Sequence, residues 1–85
     1  SSFLKQNELT ENILFRLNLP SSVKSQQNFS TTITRENEVI LVIPNSKLQN
    51  QEIRLLLPKS SLKLGDYRIT LNSDSEKYSF YFSIQ

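Results

Sequence analysis

One stretch constrains the fold of this chain more than any other: Leu57-Pro58-Lys59-Ser60-Ser61-Leu62-Lys63-Leu64-Gly65-Asp66-Tyr67-Arg68-Ile69-Thr70-Leu71. It contains the single glycine of the sequence, two residues before a tyrosine that opens an alternating run. An apolar run, a proline stop, a short loop, Gly-Asp-Tyr and a new alternating run form the pattern of a β-sandwich corner, where a chain leaves one sheet for another. Gly65 is expected to supply a backbone angle that a Cβ would disfavour. Tyr67 is expected to pack its ring under the corner and return its hydroxyl to a nearby backbone group, the tyrosine-corner arrangement. Gly65 and Tyr67 are therefore read as structural residues.

The rest of the chain shows the same period of two. Ile13, Phe15, Leu17 and Leu19 alternate with Leu14, Arg16 and Asn18 before Pro20 stops the run. Phe29, Thr31 and Ile33 predict a second strand, and Arg35-Glu36-Asn37-Glu38 a hairpin turn, since asparagine tolerates positive φ. Val39 to Ile43 is apolar at every position. That predicts a central or doubly covered strand ended by Pro44-Asn45. Ile53, Leu55 and Leu57, then Tyr67, Ile69 and Leu71, then Tyr78, Phe80, Phe82 and Ile84 supply three more inward sets. A short seventh strand is expected around Lys47 to Gln49, and residues 1–12, consistent with a short helical turn, an edge strand or a linker, read mainly as a polar lead-in to a domain of residues 13–85. The pattern predicts an all-β, Greek-key antiparallel sandwich of about seven strands.

Composition narrows the function. Eighty-five residues hold one domain with one core. No cysteine is present to form a disulfide or a thiolate ligand, and no histidine to act as a general base or bind a transition metal. A net charge of +2 with mixed signs gives no nucleic-acid footprint. The longest apolar run, Val39 to Ile43, is far short of the ~18 residues of a membrane span. The sequence lacks methionine, so a processed or excised segment of a larger protein is expected, with any membrane anchor outside it. The chemistry-bearing candidates are few. Asn72, Asp74 and Glu76 have the spacing that opens a calcium loop, but Lys77 stands where the loop needs glycine, so they read as a solvated turn. Glu36 and Glu38 read as solubilising charges beside a hairpin, and the serines have no histidine to activate them. No catalytic residue, cofactor site or metal site is assigned. Tyr81, on the face opposite Phe80 and Phe82, is the aromatic expected at a contact surface, and Arg16, Arg54 and Arg68 fall on outward positions that read either as a basic stripe or, by default, as a solvated face.

The strand runs Ile13 to Leu19, Phe29 to Arg35 and Ile53 to Pro58, with Leu62-x-x-Gly65-Asp66-Tyr67-x-Ile69-x-Leu71 and the closing Tyr78-x-Phe80-x-Phe82, resemble small bacterial immunoglobulin-like or fibronectin-III-like domains. Within that group the likeness is to the extracytoplasmic part of membrane-anchored, anti-sigma-like or sensor-like proteins. The resemblance spans about residues 13 to 84 and lacks the tryptophan common in such sandwiches. It implies an immunoglobulin-like fold, an extracytoplasmic (periplasmic or cell-surface) location and a sensor, spacer or protein-interaction role without catalysis. The alternative expectation is a carbohydrate-binding or adhesion module that uses Tyr81.

Overall fold

The computed structural model describes residues 2–24 and 26–85. Seven strands follow in chain order: β1 (Ser2–Leu4), β2 (Asn12–Asn18), β3 (Asn28–Arg35), β4 (Glu38–Lys47), β5 (Glu52–Pro58), β6 (Gly65–Asn72) and β7 (Lys77–Ile84). They form two sheets, one of five strands in the order β1-β7-β6-β3-β4 and one of two, β2-β5. Single 3-10 turns at Gln6–Glu8 and Lys59–Ser61 are the only helical pieces among the described residues. All the main pairings are antiparallel except β1 with β7, which is parallel.

Period-two patterning decides which side chains reach the core. In β5, Ile53, Leu55 and Leu57 are buried while Arg54 and Leu56 are exposed. In β6, Tyr67, Ile69 and Leu71 face inward, and they join Phe29 and Ile33 of β3 and Phe82 and Ile84 of β7 in one cluster that also includes Leu17, Ile53, Leu55 and Leu57 of the smaller sheet. Aromatic rings bridge the two sheets: Phe15 of β2 lies 4.8 Å from Phe82 of β7, and Phe82 stacks on Tyr67 at 4.9 Å.

The loop from β5 to β6 is built as a lock. The Tyr67 hydroxyl donates to the Lys63 carbonyl at 2.6 Å, and Leu62 between them and β5 is fully buried. Burial pushes the Tyr67 phenol pKa up, which keeps the hydroxyl a donor. Gly65 has φ +139°, a region disfavoured for other residues. It also leaves room for a neighbour: a Cβ here would stand 2.9 Å from Glu36 Oε1 and 3.1 Å from Arg35 Nε. Those two residues belong to the β3–β4 hairpin, whose tip residues Glu36 and Asn37 both have positive φ, 50° and 68°, as a two-residue primed turn requires. The hairpin is bonded to the lock at three points. Arg35 Nε donates to the Leu64 carbonyl at 2.8 Å, the Glu36 N–H to the Asp66 carbonyl at 3.0 Å, and the Asp66 N–H to Glu36 Oε1 at 2.9 Å. Glu36, expected to be only a solubilising charge, is a strut between two loops.

Two expectations, the place of the seventh strand and the cover of the Val39–Ile43 run, need correction. The seventh strand is not at Lys47 to Gln49: Lys47 ends β4, Gln49 makes only an isolated bridge with Glu52, and the additional strand is β1. That strand makes the start of residues 1–12 an edge strand, one of the readings open for them, with Phe3 opposite Ser83 and Leu4 opposite Ile84. The Val39–Ile43 run is neither central nor doubly covered. β4 is the edge of the five-stranded sheet and continues through Pro44 to Lys47. A proline stops a strand only where its missing N–H is needed, and on a free edge it is not.

Replacing Tyr67 by Phe is expected to cost about 1 kcal/mol through the lost hydrogen bond, lowering the thermal midpoint by roughly 4–8 °C. Gly65→Ala is expected to cost more, because it adds backbone strain and displaces Glu36. Thermal unfolding of both variants checks this, and unchanged midpoints would contradict the lock.

Candidate functional site

Sheet geometry decides which of the surface candidates meet. Arg16 of β2 and Arg54 of β5 are directly opposite on the outer face of the small sheet. Like charges in that position repel, and Glu52 separates them: its Oε1 accepts from Arg16 Nε at 3.3 Å and from Arg54 Nε at 2.5 Å. The hydrogen bond from Arg54 holds the Glu52 carboxyl below the usual carboxylate range against the opposing effect of burial, and the charges of Arg16 and Arg54 add to it. Leu14 and Leu56 are also paired on this face, and both are more than half exposed. The face is thus a small leucine patch beside a partly neutralised arginine pair.

Arg68 lies elsewhere. It sits on β6 in the larger sheet, opposite Tyr81 on β7 and Thr34 on β3. The three arginines therefore divide between two sheets and form no single stripe. Tyr81 is 58% exposed. It borders a polar cleft of about 220 Å³ lined by Thr34, Glu36, Asn37, Asp66 and Arg68. On its other side is an apolar groove of about 330 Å³ between β2 and β7, lined by Ile13, Phe15, Phe80 and Phe82, with Arg16 beside them. Of the four contact candidates, Arg16 and Tyr81 share this groove.

The groove exists because of strand numbers. Two strands cannot cover five, and β1 pairs only with the last residues of β7, Phe82 to Ile84. Ile13, Phe15, Tyr78 and Phe80 are left partly buried on that margin. The opposite margin repeats the effect. There Ile40 and Leu41 of β4 line a groove of about 370 Å³ with Ile33, Leu57 and Leu62.

Sequence reasoning missed β4 as a surface. Val39, Ile40, Leu41 and Val42 are 56%, 40%, 40% and 55% exposed. Large aliphatic side chains next to one another on a free edge mark an interaction or aggregation surface. The signal available was Pro44, since a proline inside an apolar run demotes it to an edge.

Of the acidic residues at the β6–β7 turn, Glu76 is in structural use. Asn72, Asp74 and Glu76 lie at the β6–β7 turn, where the Ser73 N–H donates to the Glu76 carbonyl at 2.9 Å and the Glu76 N–H to Ser73 Oγ at 3.2 Å. The Tyr78 hydroxyl donates to the Glu76 carboxylate, and this bond raises the Tyr78 pKa. No group of three metal-ligating side chains occurs among the described residues. No family model, curated protein or solved structure matches the chain.

The Glu52 geometry predicts a pH effect. A carboxyl whose folded pKa is depressed contributes stability above its unfolded value of 4.5, and that contribution is lost as pH falls through the folded value. The thermal midpoint of Glu52→Gln is expected to fall less steeply with acid than that of the unaltered chain. Parallel acid limbs for the two proteins would contradict the role given to Glu52.

Proposed function

We propose that this chain is a non-enzymatic protein-contact module with an immunoglobulin-like Greek-key sandwich fold. The fold reading is supported by the interlocked order of the strands. β2 pairs with β5 and β3 with β6, so the chain crosses between the sheets at β1–β2, β2–β3, β4–β5 and β5–β6, as in Greek-key sandwiches. Tyr67 at the start of β6, bonded back to Lys63, is the companion feature. An extracytoplasmic location, with a sensor or spacer role in a larger bacterial protein, is part of the proposal and rests on the family resemblance alone.

The observation that carries the contact function is the four-residue aliphatic edge of β4, with Val39 and Val42 more than half exposed. Monomeric domains usually blunt such an edge with charge, yet β4 has charged residues only at its ends, Glu38 and Lys47. Recognition along an edge needs no convergent polar residues, which suits a chain without histidine or cysteine.

A carbohydrate-binding or adhesion role is the second reading, favoured by the exposure of Tyr81 beside the polar cleft. One experiment separates the two. The chain, its Val42→Lys variant and its Tyr81→Ala variant are immobilised and exposed to extract of the source cells and to a glycan array. The contact-module reading predicts proteins retained by the unaltered chain and by Tyr81→Ala but released by Val42→Lys, with unfolding midpoints unchanged. The same proteins retained by all three would overturn it, and glycan binding lost only in Tyr81→Ala would replace it with the carbohydrate reading.

A further inference from the structure

We propose that β4 pairs antiparallel with β4 of a second copy of this chain, across a two-fold axis near its centre. The inference deepens the contact-module reading and rests on it, since it names the partner of the same edge.

The first ground is the distribution of exposed side chains. In the β3–β4 ladder Val42 is opposite Thr32 and Val39 opposite Thr34, on the face that also carries Arg68, while Leu41 is opposite the buried Ile33 on the core side. Aliphatic surface is thus exposed on both faces of one strand. A partner docked on either face would cover half of it. A strand laid along the edge places its own side chains beside both faces at once, because alternate residues point to opposite sides. β4 has only β3 as a neighbour, and at ten residues it is the longest strand.

The second ground is charge. The sequence of β4, Glu-Val-Ile-Leu-Val-Ile-Pro-Asn-Ser-Lys, has one acid at its start and one base at its end and no charge between. Neither Glu38 nor Lys47 belongs to an ion pair among the described residues. Parallel pairing of two copies in register would set Glu38 against Glu38 and Lys47 against Lys47. Antiparallel pairing about an axis at Val42 sets Val42 of the two copies against each other and Glu38 of each against Ser46 of the other, next to its Lys47, so the acid of each copy neighbours the base of the other twice. This self-complementarity is the property of an isologous interface. It singles out a second copy over an unrelated strand, which would need the same charge pattern by coincidence.

The ladder is not free to extend to any strand. Pro44 offers no N–H, and the β3–β4 register shifts between Phe29 and Thr31 and between Ile33 and Thr34, so β4 is irregular twice. Such devices restrain indiscriminate edge pairing. Aliphatic packing and the two end charges would carry the association more than backbone bonds do. A contact of one strand pair is small, so the dimer is expected to form and dissociate with concentration.

Sedimentation velocity of the full chain from low micromolar to near-millimolar concentration tests the proposal, with unfolding midpoints as a check on folding. A reversible monomer–dimer equilibrium is expected. Glu38→Lys alone and Lys47→Glu alone, each of which turns two attractions into repulsions, are expected to weaken it roughly threefold to tenfold. The double variant Glu38→Lys/Lys47→Glu restores the pairing and is expected to return to the unaltered affinity. A monomer at every concentration overturns the second copy as the occupant. Equal association of all four proteins overturns the antiparallel register. Either result is distinguishable from failure of the contact-module reading, which is judged by retention of other proteins on the unaltered chain and on Val42→Lys.

Discussion

A mismatch in strand number governs this structure. Five strands present one apolar face, and two strands supply the other. The middle of the larger sheet, at β3 and β6, is buried well enough that Ile33, Ile69 and Leu71 are fully inaccessible. Both margins are left short of cover. On one side Ile13, Phe15 and Phe80 are only partly buried, and on the other β4 stands with aliphatic side chains in solvent. Burial of apolar surface at about 25 cal/mol per Å² drives folding, so uncovered margins represent stabilisation that a partner can still supply. The candidate surfaces are consequences of the architecture rather than additions to it.

The margin at β4 is held in place by the loop lock on the core side. Gly65 gives the approach, Arg35 and Glu36 bond to the β5–β6 connection, and Tyr67 closes it from beneath. The hairpin that starts β4 is thereby tied to the start of β6 on a neighbouring strand of β3. A ten-residue edge strand with two register irregularities would otherwise have only β3 to define it. Positive φ at Glu36, uncommon for a residue with a long side chain, is offset by the hydrogen bonds its backbone and carboxylate make to Asp66.

Much of this was legible in the sequence, and the remainder was not for definable reasons. Alternation located β2, β3, β5, β6 and β7, because half-buried strands expose every second residue to water. Val39–Ile43 lacked alternation, and a continuous apolar run reads the same whether it is covered on both faces or exposed on both. Only Pro44 distinguished the cases. β1 stayed open among a helical turn, an edge strand and a linker because three residues cannot display a period, and its place beside β7 depends on a pairing from one end of the chain to the other. The division of the arginines followed from topology: Arg16 and Arg54 meet only because β2 pairs with β5, across 36 residues between Arg16 and Glu52. Arg68 has the same outward pattern on a different sheet. The role of Glu36 needed the coordinates of Gly65, which no local pattern supplies.

Residue-resolved amide hydrogen exchange on dilute protein tests most directly the claim that the narrow sheet leaves β4 as an open edge. Strands β3 and β6 are predicted to exchange slowly, at the level of global unfolding, and the residues of β4 from Val39 to Val42 to include amides that exchange orders of magnitude faster. Uniform protection of β4 equal to that of β3 under conditions where the chain is monomeric would contradict the account.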